Sequence, residues 1–165
     1  MEGIVTEKFP WSTHQELLVA CVCASTGTVI EIGCGHYSTP ILHHICKAAG
    51  RLLVSCDHDQ KWLDEFRYLE GDNHHFVIPT TDWENLKLID EEKLGCALVD
   101  HNPGSRYVPE INRLRGHTEF IVAHDAEPSK KLGVVEVAQT FKHHYVDKRH
   151  SCWTVAMSDF EKIPV

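Results

Sequence analysis

Residues 28–40 constrain this chain more than any other stretch, because they carry a buried extended segment into a sharp glycine turn and then directly into a helix. Val29, Ile30 and Ile32 read as a central strand, and Gly33 and Gly35 let the backbone turn and approach a ligand closely. Thr39 and Pro40 read as an N-cap followed by proline at the first helical position. A helix that starts this way offers backbone N–H groups to a ligand, the arrangement used to cradle nucleotides.

Helix and strand patterns alternate along the rest of the chain, which predicts a parallel α/β sheet. Thr13 and Glu16 fit a capping box, and Leu17, Leu18, Cys21 and Val22 give the helix behind it one apolar face leading to Gly27. Strands are expected at 28–32, 52–56, 75–78, 96–99, 120–123, 144–148 and 152–157, with helices at 40–49, 60–69, 84–91, 107–115 and 129–141. At 165 residues and 42% hydrophobic content the chain suits one domain, 1–165, with 1–27 an N-terminal helical segment and 28–160 the core.

No run approaches the roughly 18 apolar residues that a membrane span needs, and the first residues lack the basic-then-apolar order of a secretory signal, so a cytoplasmic location and no membrane partner are expected. The seven cysteines form no Cys-x-x-Cys pair and read as buried reduced thiols. Thirteen histidines, three pairs of them adjacent (His43 and His44, His74 and His75, His143 and His144), match no common zinc spacing and are expected mainly at the surface or at strand edges. A net charge of −8 disfavours nucleic acid as a partner, since that affinity rests on clustered Lys and Arg.

In open α/β sheets ligands sit outside the carboxyl ends of the strands, so the strand tips are the candidate site. Here they are Gly33 to Gly35, Asp57, Asp82 with Trp83, Asp100 to Asn102, and His124 with Asp125. Asp57 follows Gly33 by 24 positions (57 − 33), near the ~20-residue spacing of a ribose-binding acid, and Asp59 is its close competitor. Trp83 reads equally well as a core anchor. Asp57 alone does not distinguish one adenosine cofactor from another.

Glu31 stands two residues before Gly33, and Ser38 occupies the place of a dinucleotide fingerprint's third glycine. Both shift the reading away from NAD, and residues 31–35 make an acid-x-Gly-x-Gly pattern that resembles motif I of class I S-adenosylmethionine (SAM) dependent methyltransferases. The resemblance implies a Rossmann-like three-layer sandwich with a mostly parallel seven-stranded sheet in the order 3-2-1-4-5-7-6. It implies SAM as cofactor, held by Glu31, Gly33, Cys34, Gly35, Ser38, Thr39, Asp57, His58, Asp82, Trp83 and Asp100, with Thr81 near the adenine edge. Residues 97–107 and 120–125 resemble small-molecule O-methyltransferases, in which acids at the tips of strands 4 and 5 hold a divalent cation. Carried over, Asp100 and Asp125 become ligands for Mg²⁺ or another divalent ion. Asp100, His101 and His124 become the candidate catalytic groups, since a hydroxyl attacks a methyl sulfonium well when a base or metal draws off its proton.

Arg106 is placed to clamp an anionic substrate or the SAM carboxylate, or to pair with Asp100 or Glu110. The expected function is methyl transfer to a small or saccharide-like hydroxyl acceptor. The alternatives are a non-catalytic SAM-binding partner subunit and an NAD-type dinucleotide-binding oxidoreductase. Residues 1–27 and short loops are the material available for an acceptor pocket, so a shallow pocket is expected: either a second copy in a homodimer completes it, the acceptor is large, or SAM is bound without efficient turnover.

Overall fold

The computed structural model describes residues 10–78 and 93–165. The helix expected at 84–91, with Thr81, Asp82 and Trp83, lies outside the described residues. Seven strands, β1 (Thr28–Ile32), β2 (Leu53–Cys56), β3 (His74–Val77), β4 (Leu94–Val99), β5 (Thr118–Ala123), β6 (His143–Asp147) and β7 (Thr154–Ser158), form one sheet ordered β3-β2-β1-β4-β5-β7-β6. The first five run parallel, and β7 lies antiparallel between β5 and β6. This is the expected architecture and strand order.

Strands β2 and β4 are buried at every position, as strands covered on both faces must be. Helices α1 (Gln15–Ala24) and α2 (Thr39–Ala48) cover one face, setting Leu17, Leu18, Cys21, Leu42 and Cys46 against Val29, Leu53, Leu98 and Phe120. A short helix α3 (Gln60–Asp64) follows β2. Helices α4 (Tyr107–Leu114) and α5 (Val134–Ala138) cover the other face, packing Tyr107, Ile111, Val134 and Ala138 on Ile30, Ile32, Ala97 and Ile121. The order reverses at β1 and β4, which opens a crevice at their carboxyl ends.

Several local expectations are corrected. The capping box is not formed: Thr13 spends its hydroxyl on His124 and Cys152, and Glu16 pairs with Arg149. Ser38 rather than Thr39 precedes α2, and the Thr39 hydroxyl instead meets Glu31. The helix expected at 60–69 stops at Asp64 and gives way to a 3-10 turn, Arg67–Leu69. Leu63, Phe66 and Leu69 are spaced by three and all face Phe76, a period that three residues per turn keeps aligned. The helix expected at 129–141 is broken by Lys131 (φ 55°) and Gly133 (φ 72°), whose left-handed backbone cannot continue a right-handed helix.

All seven cysteines are free, as expected; Cys21, Cys34, Cys46, Cys56 and Cys96 are buried, whereas Cys23 is exposed and Cys152 half-buried. Eight of the thirteen histidines are exposed or half-buried, in line with the expectation, whereas His14, His43, His74, His101 and His124 are buried. Two of them belong to a polar chain beneath the glycine turn. His43 Nδ1 lies 3.1 Å from His74 Nδ1, His74 Nε2 lies 2.9 Å from Ser55 Oγ, and Ser55 donates to Glu31 at 2.5 Å. With Glu31 ionised and both rings neutral, each member donates to the next and every bond is satisfied. No described helix is long and apolar enough to cross a membrane.

Candidate active site

The glycine turn is fixed from four directions. Gly33 has φ 99° and lies so close to β4 that a Cβ would overlap the Asp100 carbonyl. Beneath it, Glu31 is fully buried and receives the Thr39 hydroxyl 3.0 Å from each carboxylate oxygen. That same Thr39 oxygen accepts the Gly35 N–H at 2.9 Å. Burial pushes the Glu31 pKa up to about 7, against the hydrogen bonds from Ser38, Ser55 and Thr39, which lower it. From α3, Trp62 donates its indole N–H to the Cys34 carbonyl at 2.7 Å, and from α1 Gln15 donates to the Tyr37 carbonyl at 2.8 Å. Glu31 therefore shapes the turn through Thr39 from beneath it.

Asp57 stands at the β2 tip with one oxygen accepting the Cys34 N–H (3.1 Å) and the other accepting the Asp59 N–H (2.9 Å). The His58 ring lies 3.3 Å from the second oxygen. A carboxylate has about four acceptor positions, so Asp57 keeps about one for a ligand, and more if the half-exposed His58 turns away. Its competitor Asp59 is committed elsewhere: it caps α3, accepting from the N–H groups of Lys61 (2.9 Å) and Trp62 (3.3 Å).

At the tips of β4 and β5, Asp100 and His124 meet, with His124 Nδ1 3.2 Å from Asp100 Oδ2. Tyr107 donates to the other Asp100 oxygen at 3.1 Å. Burial would raise the Asp100 pKa, but the His124 hydrogen bond and the His124 and His14 charges hold it below the usual carboxylate range. Burial would lower His124, but Asp100 overrides it and raises that ring. Asp125, next in sequence, has φ 53° and pairs with Lys130 at 3.2 Å. His101 turns away to stack on Tyr107, ring centroids 5.3 Å apart, and burial lowers its pKa to about 4. Arg106 pairs with the buried Glu110 at 2.7 Å rather than with Asp100.

Two groups of described residues bring metal-ligating atoms within 4.8 Å of one another: His14, Asp100 and His124, and His124, Asp125 and Cys152. Asp100 and Asp125 thus fall in different groups that share His124. A cleft of about 550 Å³ joins these parts, lined by Gly35, Tyr37 and Ser38 of the turn, by Asp100, and by Trp11, His14 and Trp62. Its size falls in the ordinary range of small-molecule sites. The last three were missed in the sequence. Trp62 had a signal, as a large aromatic in the helix after the β2 tip; Trp11 and His14 had none, because their partners are remote in the chain.

The strand order and the glycine turn at its reversal point define the class: the chain has the class I SAM-dependent methyltransferase fold. Among solved structures it is similar to the O-methyltransferase from Bacillus cereus in complex with S-adenosylhomocysteine (SAH), with TM-score 0.66 and 12% identity over 88% of this chain and 80% of that one. The SAH-bound methyltransferase PaMTH1 of Podospora anserina gives TM-score 0.65 and 12% identity over 88% and 77% of the two chains. A putative O-methyltransferase from Klebsiella pneumoniae gives TM-score 0.63 and 12% identity over 93% and 83%. No protein-family model matches the chain, and no curated protein matches it in sequence.

Proposed function

We propose that this protein is a SAM-dependent methyltransferase acting on a hydroxyl of a small or saccharide-like acceptor. One observation carries the reading: a single cleft is walled on one side by the glycine turn and on the other by Asp100, which is paired with His124. A fold shared with SAH-bound methyltransferases supports it. The residues present fit the cofactor. Gly33 and Gly35 keep the turn free of side chains, and Asp57 retains acceptor capacity at the ribose position. Asp82 and Trp83 remain the proposed adenine contacts.

Bound SAM supplies an electrophilic methyl group on a sulfonium. The chain's own part is to align and to accept a proton. The turn, braced by Trp62 and Gln15, sets the cofactor side of the cleft, and Trp11, Tyr37 and Trp62 give the acceptor apolar walls. Asp100, held on one oxygen by Tyr107, presents the other to the cleft and to His124, so that a hydroxyl proton passes to this pair as the oxygen attacks.

Calorimetric titration of the purified protein with SAM, SAH and NADH tests the reading. SAM and SAH should bind with Kd on the order of micromolar, about −8 kcal/mol, and NADH should not. Asp57→Ala should weaken SAM roughly 10- to 100-fold, the cost of about 1.5–3 kcal/mol of charged hydrogen bonding. Asp100→Ala should leave SAM affinity nearly unchanged while suppressing turnover. Binding of NADH, or of none of the three, would sink the proposal.

A further inference from the structure

A line of polar side chains crosses the layer between the sheet and α2, where Val29, Leu42, Cys46 and Leu53 otherwise make an apolar core. Glu31 and Ser55 stand opposite each other in the β1–β2 register. His74 lies diagonally from Ser55 on β3, two positions before Phe76, which pairs with Ser55. Helix α2 brings His43 to them on the same buried side as Thr39, one turn further along. Apolar side chains of similar shape fill such a place at little cost, so stability alone does not call for this chain.

Its hydrogens run in one direction at a time. Ser55 gives its hydroxyl hydrogen to Glu31, so its oxygen accepts from His74 Nε2 at 2.9 Å. A neutral His74 then has a bare Nδ1, which accepts from His43 Nδ1 at 3.1 Å. Burial lowers the pKa of both rings, that of His74 to about 4, so both are neutral near pH 7. The reverse direction satisfies every bond equally well: a protonated Glu31 donates to Ser55, Ser55 to His74 Nε2, and His74 Nδ1 to His43 Nδ1. His43 is the member that reaches solvent, 8% exposed, while His74, Ser55 and Glu31 are fully enclosed.

We propose that His43, His74 and Ser55 form a proton relay that charges and discharges Glu31 beneath the glycine turn. A proton taken from solvent at His43 Nε2 sends the Nδ1 hydrogen to His74 Nδ1. The His74 Nε2 hydrogen passes to Ser55 Oγ, and the Ser55 hydrogen passes to Glu31 Oε2. Both rings end neutral in their other tautomers, and the only net change is one proton from solvent on Glu31. Burial raises the Glu31 pKa to about 7, which puts this exchange near neutral pH. The other groups facing Glu31 keep one charge state there: burial raises the thiols of Cys34, Cys46 and Cys56, and Asp100 at the β4 tip stays ionised. His43 is faced by His44 and Lys47 of its own helix, and His74 by His75 of β3, all three exposed. Thr39 connects the relay to the site, since it donates to Glu31 and accepts the Gly35 N–H. An effect on the cofactor rests on the methyltransferase reading; the relay does not. SAM carries one positive charge more than SAH, so an ionised Glu31 favours SAM.

The first test omits SAM. ¹⁵N NMR of the imidazoles reads both tautomers, and ¹³C NMR reads the Glu31 carboxyl, between about pH 5.5 and about pH 8.5. At the upper end His43 should carry its hydrogen on Nδ1 and His74 on Nε2. At the lower end both should reverse, with the midpoint that Glu31 shows. Glu31→Gln and Ser55→Ala should each abolish the reversal, the second variant serving in case the first folds poorly. Wild-type rings that keep one tautomer across the range, or reversal unchanged in both variants, would overturn the inference. Calorimetry with SAM and SAH then reads the consequence. From about pH 6 to about pH 8 the ratio of SAM to SAH affinity should rise about 3- to 10-fold more in the wild type than in Glu31→Gln. A ratio that moves equally in the two proteins would overturn the link from Glu31 to the cofactor. Tautomer reversal in a protein that binds neither ligand would keep the relay and discard the proposed function.

Discussion

Gly33 shows how much a single position can decide. Its φ of 99° and its contact with the Asp100 carbonyl make two separate demands for a missing side chain, one conformational and one steric. Gly50 separates them, since its φ of 63° makes the first demand while open space surrounds it. Gly50→Ala should cost about 1 kcal/mol, the left-handed backbone term. Gly33→Ala should cost at least ~2–3 kcal/mol, because strand β4 must also move. Urea midpoints of the two variants measure the difference, and equal losses would mean that the turn has room the packing does not show. The sequence made Gly33 legible because a glycine between an apolar strand and a helix start has few other uses. Ser38 and Thr39 were less legible: either can cap a helix, and the choice fell to Glu31, buried where the Thr39 hydroxyl can reach it.

The N-terminal end of α1 does for the site what no strand tip could do alone. Thr13 ties it to His124 across 111 positions of chain, Gln15 ties it to the Tyr37 carbonyl, and His14 between them enters the cleft. A capping box was a reasonable expectation for Thr13 and Glu16, since local hydrogen bonds normally win at a helix start. They lost here because His124 and the Cys152 carbonyl needed partners in a buried place, where an unmet polar group costs more than an uncapped N–H in water. Thr13→Val should remove these bonds and strand His124 Nε2, costing about 2 kcal/mol, or roughly 4–8 °C of Tm at this chain length. A melt within 1 °C of wild type would show that water or another group replaces the hydroxyl.

Across the whole molecule, the buried chain from His43 through His74 and Ser55 to Glu31 links α2, β3, β2 and β1 and couples the sheet to pH. Burial raises Glu31 from 4.5 to about 7. The folded state thus binds a proton there that the unfolded chain releases, so this contribution is fully present below pH 4.5 and is lost as the pH rises through about 7. Glu31→Gln removes the titration. The variant's stability relative to wild type should therefore improve between pH 5 and pH 7.5, read as the difference in urea midpoints at the two values. A difference that is constant with pH would place the Glu31 pKa near its unfolded value.

The strand order was legible only through the resemblance to class I methyltransferases; what residue order gave by itself was whatever is repeated or local: the apolar runs that become a parallel sheet, the glycine turn at the end of β1, and the acids at the strand tips. These depend on interactions within a few residues or on a period that any segment shows by itself. The meeting of His14, Asp100 and His124 and the burial of five histidines left no such trace. Each depends on which polar groups are carried into the interior together once the helices dock. Until that docking, a histidine in a loop looks the same whether water or a carboxylate will face it.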